Sequence, residues 1–412
     1  MRGHPMTAID AQFYWMSARI PSDQFLLYAF AGVPADFDGA VAEVLDRARA
    51  SADLTMRVED TSAWRYPRWV PTLDPVGVTA HRAPGDSWAG CLDAIVRLAD
   101  DQLDVRVAPW KLHLFAPVDG IPGVGGAGTV AVLQVAHALA DGGRASALAA
   151  WLFGREEPVA AVDRPGRGLL PWRAIVAARA HRKRVEDTRS GVLPPPVGDR
   201  PPLATNNRPA GARAVRTLVR RRAELGGSTV TVAVLSAVSA ALAEYLDEPC
   251  DSLGAEVPMA KAGIRQANNH FGNIPVGLYP HCDRPTRVER IAAEIAGGRL
   301  RARHRASVTA DRAFAATPAA LLRWGVEKFD SQTRPVRVSG NTVVSSVYRG
   351  AADLRFGRSP VVLTAGFPAL SPVMGLTHGV HGLGDTVVIS VHAAESAISD
   401  IDVYLGLLDA AL

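Results

Sequence analysis

Cysteine is scarce and unpatterned in this chain. Only Cys91, Cys250 and Cys282 occur among 412 residues, an odd number with no C-x-x-C pair. That excludes a disulfide framework, argues against a cysteine metal ligand or nucleophile, and predicts reduced thiols in an intracellular protein. Long apolar runs are missing as well. The opening Met-Arg-Gly-His-Pro-Met has no apolar core of the kind a secretory signal needs. No stretch reaches the ~18 unbroken apolar residues of a spanning helix. The longest candidate, 128–140, carries Gln134 and His137 and suits a buried strand. Charge of one sign is not in excess either: 45 Lys and Arg against 41 Asp and Glu leave +4, too little to argue for nucleic acid. A cytoplasmic protein is expected, touching a membrane only at its surface.

What is present is the composition of a globular enzyme, 48% hydrophobic and 21% charged, which excludes collagen and coiled coil. The length asks for two or more packed units. Periodicity predicts a strand over 23–34, a helix over 39–50 with Val41, Val44, Leu45 and Ala48 on one face, and a helix over 90–103. Strands follow at 111–118 and 129–137 across the turn DGIPGVGGAG, then a helix over 144–153. Residues 161–214 change character, with a helix predicted at 170–187 and a proline-stiffened linker after it. That helix carries Trp172, Ile175 and Val176 beside the basic run 181–184. It reads first as a solvated basic face over an apolar stripe, and second as an anchor to a membrane or lipid-droplet surface.

From 215 the alternation resumes. Strands are predicted at 215–222, 254–259, 273–279, 341–347, 360–366 and 385–393. Helices are predicted at 228–246, with Ser228 or Thr229 as N-cap, and at 286–304, 317–328 and 399–412. The last would bury Ile401, Leu405, Leu408 and Leu412. THGVHGLGD, with His378 and His381 among glycines, reads as a loop whose histidines add polarity. The implied architecture is α+β in three parts: 1–160, a linker region 161–214, and 215–412.

The segment with most chemistry is VAVLQVAHALADGG. An apolar strand ends at His137, Asp141 follows four residues on, and Gly142-Gly143 turns the chain into a helix. An imidazole there can take a proton from a hydroxyl near neutral pH. Asp141 can hold the turn through backbone N–H groups or an arginine from elsewhere, and Gly142 can supply positive φ or a close approach. Alone, HxxxD fits a half-buried, capped strand-end histidine better than a catalytic one. No second His or Cys pair has ligand spacing, so no metal is expected.

Context sharpens this. HxxxDG closing a first α+β half, with a second half after a linker, resembles the CoA-dependent acyltransferase and peptide-synthetase condensation superfamily. MTAIDAQFYWM (6–16) resembles the SPLDAxFLWxE block of the wax ester synthase/diacylglycerol acyltransferase family. APWKLHLFAPVDG (108–120) resembles its RPLWExxxxxG block, NNHFGNIPVGLYP (268–280) its GNxFGN block, and NTVVSSV (341–347) its NxxxSNV block.

The resemblance implies two pseudo-symmetric subdomains of the chloramphenicol acetyltransferase kind with a tunnel between them. It also implies transfer of an acyl group from acyl-CoA, or an acyl carrier protein, to an alcohol, with no cofactor. His137 would be the base and Asp141 would shape the motif. Trp110, Gly142, Asn273, Ser345 and Ser346 would lie along the substrate channel, although Trp110 after Pro109 suits core packing as well. The chain departs from the family at Ala136, where a first histidine is usual, and at Ser17, usually acidic. Thr231-Val232 stands where Asn-Asp is usual, and Ser346 where asparagine is. Altered polar groups around a retained base fit a changed acceptor. The alternatives are a specialised-metabolism enzyme acylating a hydroxyl or amine, and a non-catalytic lipid-binding scaffold.

Overall fold

Alternation of strand and helix, with a change of composition after 160, resolves into two large sheets, the first completed by two strands from late in the chain, and a small three-stranded sheet. The computed structural model describes residues 3–72, 77–81, 86–164, 166, 168–226, 229–249 and 251–412. Ser228 and Cys250 lie outside them. The first part runs β1 (His4–Pro5), α1 (Ala8–Ser17), β2 (Gln24–Phe30), α2 (Phe37–Ala50), β3 (Met56–Glu59), β4 (Arg68–Pro71), β5 (Val78–His81), α3 (Trp88–Leu98), β6 (Trp110–Val118), β7 (Gly128–Val135) and α4 (Gly142–Leu152). Then come α5 (Leu170–Arg189), β8 (Arg213–Arg221), α6 (Val230–Tyr245), β9 (Gly254–Ala260), β10 (Phe271–Gly277), α7 (Arg284–Arg303), α8 (Arg305–Ala315) and α9 (Ala319–Lys328). The chain closes with β11 (Thr342–Tyr348), β12 (Arg355–Phe356), β13 (Ser359–Gly366), β14 (Leu376–Leu383), β15 (Thr386–Ala394) and α10 (Ile401–Ala411).

The first large sheet is ordered β12-β13-β2-β7-β6-β5, the second β10-β9-β11-β14-β15-β8, and the small one β1-β4-β3. β13 and β12 therefore come from the last quarter of the chain yet complete the first sheet, with Gly366 opposite Leu26 and Thr364 opposite Tyr28. Period-2 alternation places Leu26, Tyr28 and Phe30 with α2 and α4 in one core, while Phe25, Leu27 and Ala29 face α3. That α3-side core also holds Val215 and Val388 of the second sheet, so it is the seam joining the halves. A third core lies under α6, α7 and α10. Burying each Val, Leu or Phe here is worth roughly 1.5–3 kcal/mol. α6 is apolar all round because it is buried all round, and Thr229 caps it by accepting from the Val232 N–H.

Three expectations need correction. THGVHGLGD is not a loop but most of β14, paired in parallel with β11 and antiparallel with β15. Its histidines are buried: His378 bonds the Thr342 hydroxyl at 2.9 Å and the Tyr404 hydroxyl at 2.8 Å, and His381 lies against Arg349. Second, Tyr404 and Leu408 bury the terminal helix, with Ile401, Leu405 and Leu412 only partly covered. Third, the apolar stripe of α5 is not covered: Trp172 and Ile175 are 64% and 47% exposed, and the helix packs on α8 through Ala180 instead. No described helix is long and apolar enough to cross a membrane.

A polar rung runs from Asp23, just before β2, across β7, β6 and β5 on the α3 side of the first sheet. Gln134 Nε2 donates to Asp23 Oδ2 (2.8 Å) and to the Asp101 carbonyl (2.7 Å), so its Oε1 must face His113 Nε2 at 3.0 Å. His113 Nδ1 is then an acceptor for His81 Nε2–H at 2.9 Å. Burial pushes the His113 imidazole down to about 4 and the Asp23 carboxyl up to about 6.

Candidate active site

His137 stands just beyond the end of β7, at the start of the turn that leads into α4. Its ring stacks on Phe13 of α1 with centroids 4.1 Å apart and planes 5° from parallel, and Phe271 of β10 lies 5.7 Å away. Three distant segments thus meet at one imidazole. Two of them, 6–16 and 268–280, are blocks singled out in the sequence.

The arrangement fixes the tautomer. Asn269 Nδ2 donates to the His137 carbonyl (2.7 Å) and to Asp10 Oδ1 (3.0 Å), neither of which can donate back. Asn269 Oδ1 must therefore face His137 Nδ1, 2.8 Å away, and that nitrogen carries the proton. Nε2 is left with a lone pair and is not sealed off, and no described residue bonds it. Burial holds the imidazole below its ordinary pKa, against its own carbonyl, Asn269 and Asp141, so it is neutral at pH 7.

Asp10 fixes Asn269 in turn. Its buried carboxyl accepts from the Asn268 N–H (3.1 Å), the Asn269 N–H (2.9 Å), Asn269 Nδ2 and the Thr7 hydroxyl (2.7 Å). Burial raises its pKa and these donors oppose the rise. Asp10, Phe13 and Asn269 were not among the sequence candidates, although each lies in a quoted block.

Asp141 does not touch the ring. It caps α4 by accepting from the Arg144 N–H at 2.9 Å, accepts from the His270 N–H at 2.8 Å, and pairs with Arg265 at 2.8 and 3.1 Å. Burial pushes this carboxyl up, but Arg265 and the two N–H groups outweigh it and hold the pKa below the ordinary value. Asp141 therefore pins the turn between β7 and α4 to the 265–270 loop of the second half. Asp141→Asn leaves Arg265 half-buried without its counter-ion and is expected to cost about 3 kcal/mol in a urea denaturation curve. A loss under about 1 kcal/mol would show the staple to be dispensable.

A cavity of about 990 Å³ opens beside Phe271, large enough for a long or branched substrate. Thr231, Ser346 and Asn273 supply its polar groups, and Val257, Met259 and Ile274 its apolar wall. Gly298 of α7 lies close because a Cβ there would sit 2.3 Å from Ile274 Cγ2. Arg184, Lys261, Arg299, Arg301 and Arg303 outnumber Glu294 and Asp311 along its lining.

The remaining sequence candidates separate. Ser346 lines the cavity and accepts from the Thr231 hydroxyl at 2.9 Å. Asn273 lines it too, exposed, donating to Glu256 at 2.9 Å. Ser345 is partly buried and shares a strand face with Val347, whose Cγ2 lies 3.8 Å from where a Gly142 Cβ would be. Gly142 needs neither of the features expected of it: its φ is not positive, and a Cβ would meet only ordinary contacts. Trp110 is corrected from channel to core, 1% exposed with Nε1 donating to the Leu54 carbonyl at 2.9 Å. Cys91 is buried, its thiol pushed up to about 12, which removes it as a nucleophile.

No protein-family model matches the chain, and no curated protein is similar to it in sequence. Solved structures are similar over its whole length. The wax ester synthase/diacylglycerol acyltransferase from Marinobacter aquaeolei VT8 superposes with a TM-score of 0.64 at 19% identity, covering 99% of this chain and 98% of that one. The first condensation domain of the calcium-dependent antibiotic synthetase, in complex with a substrate analogue, gives 0.64 at 16% identity, covering 100% and 97%. The starter condensation domain of rhizomide synthetase, in complex with C8-CoA and Leu-SNAC, gives 0.60 at 13% identity, covering 99% and 94%. The chain has the two-half α+β fold that these proteins share.

Proposed function

We propose that the chain is an acyltransferase that moves an acyl group from a thioester to an alcohol, with His137 as general base. The observation that carries this is the tautomer: Asn269 holds the proton on Nδ1 and leaves Nε2 a lone pair, on a ring that stacks on Phe271, which lines a cavity with apolar walls and a mainly basic lining that His137 itself does not line. The acceptor hydroxyl gives its proton to Nε2 while its oxygen attacks the thioester carbonyl carbon. The tetrahedral oxyanion then collapses, the C–S bond breaks, and the leaving thiolate takes the proton back from Nε2. The products are an ester and a free thiol, and no covalent acyl-enzyme is needed. The excess of basic over acidic residues along the cavity suits a donor bearing phosphates, as acyl-CoA does.

A second reading, acylation of a hydroxyl or amine of a small metabolite, is favoured by the Thr231–Ser346 pair. Two short hydroxyl side chains leave the cavity polar as well as wide at that point. Free-thiol release from acyl-CoA or an acyl carrier protein, measured over fatty alcohols, a diacylglycerol and small hydroxylated or amine acceptors, separates the two. Turnover with lipid alcohols supports the first reading, and turnover only with small acceptors or amines supports the second. Acyl-CoA binding with no thiol release on any acceptor would sink both and leave a non-catalytic scaffold.

A further inference from the structure

The outward face of α5 has no part in the chemistry at His137. Leu169, at the N-terminal end of the helix, is 78% exposed, and Trp172 and Ile175 follow it at i+3 and i+6, exposed as well. Isolated apolar side chains on a surface mean little, but here three large ones stand together on one helix end. At ~100° per residue, Trp172, Ile175, Arg179, Arg182 and Arg189 fall within an arc of about 100°. Ala180, the residue α5 buries where it packs on α8, lies outside that arc. Apolar and basic side chains therefore share one outward face, the apolar ones on the first two turns and the arginines on the turns that follow.

The charge of this helix is not cancelled. α5 carries six basic residues against Glu186 and Asp187, a surplus of four. The whole chain, with 45 basic against 41 acidic residues, has the same surplus, so everything outside α5 balances. Both acids of the helix are taken: Lys183 pairs with Asp187 at 2.7 Å and with Glu186 at 3.6 Å, and His304 also bonds Asp187. Arg184 bonds His181, and Arg173 donates to the Gly166 carbonyl. Arg179, Arg182 and Arg189 bond no described residue. The neighbouring α8 supplies no counter-charge, since it adds Arg305 and Arg312 against Asp311, which pairs with Lys261 at 2.7 Å.

Open indole and aliphatic side chains beside uncancelled guanidiniums complement an anionic bilayer, whose phosphates attract the charges and whose headgroup boundary accepts the indole. A nucleic acid would match the arginines alone and leave Leu169, Trp172 and Ile175 in water. We propose that α5 docks the protein on the surface of an anionic membrane. Leu169, Trp172 and Ile175 enter the headgroup boundary, and Arg179, Arg182 and Arg189 lie against lipid phosphates. The surface does not depend on the acyltransferase reading.

Sedimentation of the full chain with vesicles of phosphatidylcholine, alone or mixed with phosphatidylglycerol, tests this. Binding to the anionic vesicles is expected to be at least about tenfold tighter, and to weaken as salt is raised. Arg179→Gln combined with Arg182→Gln should weaken it about 25-fold, at ~fivefold for each cation near a charged surface. Trp172→Ser combined with Ile175→Ser should weaken it about tenfold or more with every arginine in place. His137→Ala should bind as the parent does. Brominated phosphatidylcholine in the anionic vesicles should quench the fluorescence of the parent more than that of Trp172→Phe, a readout that needs neither double variant to fold. Equal binding to the two kinds of vesicle, no binding to either, or equal quenching of the parent and Trp172→Phe overturns the proposal. Binding that is lost with the arginines but untouched by the Trp172 and Ile175 substitutions overturns it as well, and marks a polyanion site instead.

Discussion

His137→Ala is expected to lower kcat for thiol release by about a hundred- to ten-thousand-fold, the contribution of a positioned general base. Neighbouring residues make the test more specific than loss of activity alone. Asn269→Leu keeps the stacking of the ring on Phe13 but removes the acceptor that holds the proton on Nδ1. The imidazole is then free to turn or change tautomer, and a fall in kcat of about tenfold or more with little change in KM is expected. Asn269→Asp keeps the acceptor and adds a negative charge beside the ring. That charge favours the imidazolium, so the acidic limb of the kcat/KM profile should move to higher pH. A merely structural Asn269 would lower activity without moving the limb. If His137→Ala keeps activity within tenfold of the parent, the base lies elsewhere.

Acid should unfold this protein unusually early. His113, His378, His381 and His392 are each 5% exposed or less. Burial pushes His113 and His392 down to about 4 and His378 to about 3, and holds His381 well below its ordinary value. In the unfolded chain the same side chains titrate near ~6.5. Below that pH the unfolded chain takes protons the folded chain refuses, so stability is fully present above it and falls as pH drops. Each histidine contributes a slope of ~1.4 kcal/mol per pH unit, up to about 5 for the four together. Asp23 works the other way: its folded pKa, about 6, lies above the ordinary carboxylate value, so it adds stability at low pH that is lost as pH rises through about 6. Asp10, raised by burial, works like Asp23, and His137, lowered by burial, works like the four histidines; five histidines against two carboxyls leave about 4 kcal/mol per unit. Against a typical stability of ~5–15 kcal/mol, unfolding is expected near pH 5. Thermal melts from pH 7.5 to 4.5 measure this, and a Tm constant to within a few degrees across that range would refute it. His378→Asn should make the decline shallower.

The periodic elements were legible because burial writes itself into the residues: on one face of α2, nearly all round α6 and on both faces of β2. β14 was not, because its glycines answer to a neighbour outside any local window. A Cβ at Gly379 would sit 2.2 Å from the Gly366 carbonyl oxygen of β13, so this strand needs glycine where the two sheets press together. α8 was missed because its start depends on His304 ending α7 and capping the next helix through its side chain. At the site, His137 and Asp141 could be read from one short segment. Asn269 is 132 positions from His137 and Asp10 is 259 from Asn269, separations at which no spacing rule operates. Only the resemblance of the blocks around them marked those stretches, and it pointed to Asn273 rather than to Asn269.

The late arrival of β13 in the first sheet also sets a timetable. The Thr364 hydroxyl of β13 donates to the Leu27 carbonyl of β2 across 337 positions of sequence. At ~5–20 residues per second, a ribosome takes about 20–70 s to deliver that partner after β2 has emerged. Through that interval the segment QFLLYAF, buried in the finished molecule, has β7 on one side and an unpaired edge on the other. A nascent chain carrying so greasy an open border needs sheltering until its last quarter is translated, and a fragment cut at 214 would keep that border open permanently.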